Sequence, residues 1–94
     1  MKPYFLVSLC KNGILGGGMT ADADAVTYHT GKLTVPARYR HLELRYRDIT
    51  AVTTGRLLGL PTMSLQMRDG EEYRFVVFAR KRFLRLLQQM GVTL

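Results

Sequence analysis

Several features that mark catalytic, secreted or membrane-spanning chains are missing from this sequence. Its single cysteine, Cys10, excludes an internal disulfide and any Cys-x-x-Cys metal or redox site. No apolar run approaches the roughly eighteen residues that a bilayer-spanning helix needs. Residues 4–9, behind Lys2, are too few for the apolar heart of a signal peptide, and Lys11 and Asn12 interrupt them, although Ala21-Asp22-Ala23 imitates a cleavage site. The expectation is a cytosolic chain, able to sit peripherally on a membrane. There is no internal repeat, no low-complexity tract and no linker, so residues 1–94 form one domain, and a chain this short holds a single core. Acidic residues are also scarce. Seven of them face fourteen basic ones, ten of which are arginine, for a net charge of +7. That excess attracts nucleic acid, anionic lipid headgroups or an acidic protein surface, and it carries no information about fold.

Catalytic and metal-binding patterns are absent as well. His29 and His41 are the candidate general bases, but no Ser-His-Asp or Cys-His arrangement accompanies them. Asp22 and Asp24 give a D-x-D without the later acidic ligands of a calcium loop. Gly16, Gly17 and Gly18 lack the Gly-Lys-Ser/Thr that would complete a phosphate-binding loop. No enzyme, no metal and no cofactor are expected.

What is present is a 47% hydrophobic chain, enough to fold, patterned mostly for strands. Tyr4-Phe5-Leu6-Val7 has strand-forming content. The three glycines then suit a sharply bent strand or an open loop. Val26 and Tyr28 alternate with Thr27 and His29 up to Gly31. Leu33 and Val35 restart the alternation until Pro36 interrupts it. Leu42, Leu44 and Tyr46 alternate with His41, Glu43 and Arg45. Residues 49–54 are β-branched, and Gly55, Gly59 and Pro61 frame a connecting loop that holds Leu57, Leu58 and Leu60.

The sharpest local signal is a hairpin over residues 62–78. A three-residue loop, Arg68-Asp69-Gly70, sets Leu65 opposite Tyr73 and Met63 opposite Phe75, and it gives Gly70 a positive φ. A two-residue loop would mix the apolar and polar faces. Residues 80–90 are helical, with Phe83, Leu87 and Met90 as the buried stripe flanked by Leu84 and Leu86. Lys81, Arg82, Arg85 and Gln89 take the opposite face, and Gly91 is the stop.

Three stretches together resemble the pleckstrin-homology (PH) superfold, and more closely its GRAM and bacterial PH-like families. Residues 19–33, MTADADAVTYHTGKL, are similar to an early strand pair; residues 42–52, LELRYRDITAV, carry an aromatic-x-Asp-Ile step at Tyr46-Arg47-Asp48-Ile49. Residues 65–91, LQMRDGEEYRFVVFARKRFLRLLQQMG, are similar to a last hairpin feeding the closing helix. The resemblance spans roughly residues 13–91. It implies a mostly β, PH-like bent barrel of six to seven antiparallel strands capped by one C-terminal helix. It does not bring an inositol-phosphate site, because residues 16–25 contain no basic residue and include Asp22 and Asp24. Phe83 stands where many eukaryotic PH domains have tryptophan.

Two basic clusters remain. Arg80, Lys81, Arg82 and Arg85 crowd the start of the helix, where the dipole favours acids, and no acidic residue follows Glu72. This is the main candidate site for an anionic partner. Arg38, Arg40, Arg45 and Arg47, with His41 and interleaved with Tyr39 and Tyr46, form a weaker candidate patch of the kind that stacks single-stranded bases. The leading expectation is a basic, non-catalytic interaction module for an anionic membrane surface or an acidic protein segment. A homo-oligomer, joined through residues 4–9 and Leu57, Leu58 and Leu60, is the second. A nucleic-acid binder is the third.

Overall fold

The computed structural model describes residues 3–10, 14–31 and 37–93, so the expected break at Leu33, Val35 and Pro36 lies outside the described residues. Seven strands form one antiparallel sheet: β1 (Tyr4–Cys10), β2 (Ile14–Ala21), β3 (Ala25–His29), β4 (His41–Arg45), β5 (Ile49–Leu57), β6 (Leu60–Met67) and β7 (Glu72–Val77). Their order is β4-β3-β2-β1-β7-β6-β5, so β1 joins the two halves by pairing with both β2 and β7. The sheet curls into a half-barrel whose edges are β4 and β5. Helix α1 (Arg80–Gln89) follows β7 and closes the core.

Alternation decides which side chains enter that core. Phe5, Val7 and Leu9 point inward from β1, Met63 and Leu65 from β6, and Phe75 and Val77 from β7, each no more than 1% exposed. Phe5 stacks on Phe83 of α1 at 4.7 Å, which pins the helix to the middle strand. Tyr28 packs at a tilt against Phe75, and its hydroxyl donates to the Leu15 carbonyl at 2.7 Å. The glycine run lies within β2 as strand, and Gly17 admits the Tyr28 ring. A Cβ there would meet the His29 carbonyl oxygen at 2.6 Å and Tyr28 Cε1 at 2.9 Å.

The β6–β7 hairpin has the expected register, with Leu65 facing Tyr73, Met63 facing Phe75, and Gly70 at φ 92. Two expectations are corrected. Residues 55–61 are not a loop. Strands β5 and β6 continue through them, pairing Gly55 with Thr62, Arg56 with Pro61 and Leu57 with Leu60, and only Leu58 and Gly59 turn. Both have positive φ, 51 and 81, as a tight hairpin turn requires, so the leucines belong to a hairpin tip.

The second correction concerns α1. Its buried residues are Phe83, Leu86 and Leu87, whereas Met90 is 37% exposed. Helix geometry ends before Met90. Gly91, at φ 88, reverses the chain, the Val92 N–H donates to the Leu87 carbonyl at 3.0 Å and the Gly91 N–H to Gln88 at 3.1 Å. That is a Schellman stop, and Val92 takes the core position expected for Met90.

Candidate functional site at the start of the helix

Helix α1 begins without help from its own sequence. Ala79 occupies the N-cap with no side-chain hydrogen bond, and the first turn holds no acidic residue. Three cations occupy it instead, and the structure separates their roles. Arg80 Nη1 donates to the Gly55 carbonyl at 2.8 Å and lies 3.3 Å from that of Thr62, tying the helix start to the β5–β6 hairpin. Arg74, on β7, likewise donates to the Arg56 carbonyl at 3.1 Å. These two side chains reach across β6 to β5. They cross the outer face on which Thr62, Ser64 and Val76 are buried, although alternation alone would expose them.

Arg82 is exposed but engaged. Its Nη2 donates to the Tyr4 carbonyl at 2.8 Å, and its guanidinium lies 4.5 Å over the Phe5 ring, extending the Phe5–Phe83 stack. Lys81 and Arg85 are exposed, and among the described residues the ion pairs lie elsewhere, joining Arg45 to Glu43 and Arg68 to Asp48. Of the four expected site residues, Arg80 and Arg82 are fastened to backbone, and Lys81 and Arg85 present their charge to solvent.

The weaker patch is divided by the fold. Arg38 and Tyr39 sit in a short 3-10 turn over Ala37–Tyr39, the guanidinium 4.7 Å above the Tyr39 ring. Arg45 pairs with Glu43 at 3.3 Å, the Arg40 carbonyl accepts from the Thr30 N–H at 2.9 Å, and the Arg47 carbonyl accepts from Arg68 at 2.7 Å. Tyr46 is core: its hydroxyl donates to the Asp22 carbonyl at 2.8 Å. Burial, and after it the charges of Asp22 and Asp24, push its phenol up to about 12. Arg45 and Arg47 share an open hollow with Asp22, Asp24 and Glu43, so the surroundings there are mixed in charge. Asp22 itself is a turn former, accepting the Asp24 and Ala25 N–H groups at 3.1 Å. His29 and His41 face each other across β3 and β4 on the exposed side. Among the described residues no cluster of three or more His, Cys, Asp or Glu could hold a metal ion.

Sequence reasoning missed one feature beside the basic helix start, Phe78, and put another, Leu58, in a loop rather than a hairpin turn. Phe78 is 55% exposed and shares a hollow with Pro61, Arg80, Lys81 and Arg82. Alternation carries the signal: Phe75 and Val77 point inward, so Phe78 must point out. Leu58 is 89% exposed at the hairpin tip, and its position was hidden by reading that hairpin as a loop.

No protein-family model matches the chain, and no curated protein matches it in sequence. Among solved structures it is similar to the crystal structure of the C-terminal domain of an unknown protein from Leishmania infantum. The TM-score is 0.77, at 7% identity over 97% of this chain and 83% of that one. A likeness at that identity concerns the fold alone. A seven-stranded antiparallel half-barrel with a C-terminal helix fits a PH-like fold.

Proposed function

We propose that the chain is a small, non-catalytic interaction module, of the GRAM or bacterial PH-like kind, that docks on an anionic surface through the start of α1. In this reading it resides in the cytosol and visits a membrane peripherally. The observation that carries the proposal is the separation of charge. Asp22, Asp24, Glu43, Asp48 and Asp69 line two hollows on the β3–β4 and β6–β7-turn side, and Glu71 and Glu72 adjoin Asp69. None of the seven acids lines the hollow at Phe78, where Arg80, Lys81 and Arg82 stand, or the neighbouring hollow at Tyr4 and Leu6. A cationic field without local neutralisation attracts anions at long range.

Self-association through the exposed apolar side chains remains the second reading. It is opposed by the +7 charge that each copy would carry. The nucleic-acid reading loses support because Tyr46 is buried and unable to stack on a base. Co-sedimentation with neutral and anionic vesicles tests the proposal. Binding to anionic vesicles alone, weakened by Lys81→Gln with Arg85→Gln, is the expected result. Equal binding by the double variant would overturn it.

A further inference from the structure

The largest exposed apolar side chains beside the basic helix start gather around one corner of the fold. On β1, Tyr4 and Leu6 are 51% and 62% exposed. Val7 pairs with Val77, and both point into the core, so Leu6, just before, and Phe78, just after, emerge on the same outer face. Tyr4 lies on that face too, its ring over Gly18, where a side chain would collide with it. Phe78 shares its hollow with Pro61, and Pro61 opposite Arg56 leads directly into the turn that projects Leu58. Arg80 holds this corner together, since its guanidinium joins the helix start to Gly55 and Thr62 of the same hairpin.

Leu58 is the telling residue. It is 89% exposed, gaining almost nothing from burial, and it occupies φ 51, a backbone region that disfavours branched side chains. Asparagine or glycine would suit this turn better on both counts. A leucine kept in a strained, wet position needs a reason outside the folded chain.

We propose that Leu58, Phe78 and Leu6 form an apolar tip that enters the interfacial layer of a bilayer containing anionic lipid, while Lys81, Arg85 and Arg56 meet the headgroups. The inference rests on the docking reading above and names its surface. Lipid fits better than an acidic peptide because the apolar side chains project from a hairpin tip and a strand end and line no deep groove. Aromatic and aliphatic protrusions beside exposed cations are the composition of interfacial membrane binders. Lipid fits better than a second copy because two such corners would bring like charges together.

The chain contains no tryptophan, so Phe78→Trp gives a single indole reporter at the tip. With vesicles containing anionic lipid, its emission should shift to the blue and be quenched by brominated acyl chains. Neutral vesicles at the same lipid concentration should leave it unchanged. Leu58→Asn should keep or raise the thermal midpoint yet weaken binding to anionic vesicles by about three- to tenfold, as loss of a partly buried leucine implies. If vesicles sediment the protein but the indole neither shifts nor is quenched, insertion is overturned while surface docking stands. A failure of wild type to sediment with anionic vesicles overturns both. An equal blue shift with soluble polyglutamate assigns the corner to an acidic protein, and a concentration-dependent shift without vesicles assigns it to a second copy. Either result overturns the lipid assignment.

Discussion

Gly17 carries a packing constraint set by backbone. A Cβ at this position meets backbone, the His29 carbonyl oxygen, as well as the Tyr28 ring, so neither a rotamer change nor solvent offers relief. Gly17→Ala should therefore destabilise the fold by about 1–3 kcal/mol in urea denaturation, as overpacking does. Leu87 is fully buried, and Leu87→Ala should lose about 2–5 kcal/mol. Leu58→Asn should act the other way, relieving positive-φ strain by about 1 kcal/mol, because there is almost no packing to lose. Tyr46 gives a pH signature. Its phenol ionises near pH 10 in an unfolded chain and only at about 12 in the fold. Its contribution is fully present below pH 10 and is lost as pH rises through 12, because the unfolded chain releases its proton first. Tyr46→Phe should flatten the decline in stability over that window, read as the urea midpoint against pH. Tyr28 and Tyr73, also raised by burial, retain the rest of the slope.

Among the elements, α1 sets two kinds of cation side by side. Arg80→Gln removes contacts to two carbonyls that hold the β5–β6 hairpin, and it should lower stability by about 1–2 kcal/mol. Lys81→Gln with Arg85→Gln removes only solvated charge and should stay within about 0.5 kcal/mol of wild type in the same denaturation series. That difference was illegible in the sequence. A run of Arg80, Lys81, Arg82 and Arg85 shows where positive charge gathers. The partners of Arg80 and Arg82, at Gly55, Thr62 and Tyr4, come from strands far away in the chain. The β6–β7 hairpin, by contrast, was fully legible, because Met63 and Leu65 against Tyr73 and Phe75 admit one register that keeps a face apolar. The β5–β6 turn was not, since Leu58 is a residue that local turn preferences place elsewhere. Met90 was misplaced for a related reason. Helical period continues through it, while Gly91 ends the helix one residue earlier and brings in Val92.

For the whole molecule, alternation and one amphipathic helix were enough to indicate a bent antiparallel sheet closed by α1, and the strand order followed only from the structure. Charge separation is a property of that assembly. The acids come from four separate stretches of sequence, at Asp22 and Asp24, Glu43, Asp48, and Asp69 with Glu71 and Glu72, and the fold keeps them from the hollows at Tyr4 and Phe78. A docking surface of this kind should weaken steeply with salt, since the Debye length falls from about 30 Å at 0.01 M to about 8 Å at 0.15 M. The apolar corner should make binding less sensitive to salt than charge alone would.

The central claim is that the exposed cations at the start of α1 meet an anionic surface. Its most direct test is the affinity of wild type and of the Lys81→Gln, Arg85→Gln double variant for anionic vesicles at low ionic strength. The account predicts tight binding by wild type, a loss of about tenfold or more in the double variant, and convergence of the two as salt rises. Equal affinities at low salt, with both proteins equally stable, would contradict it.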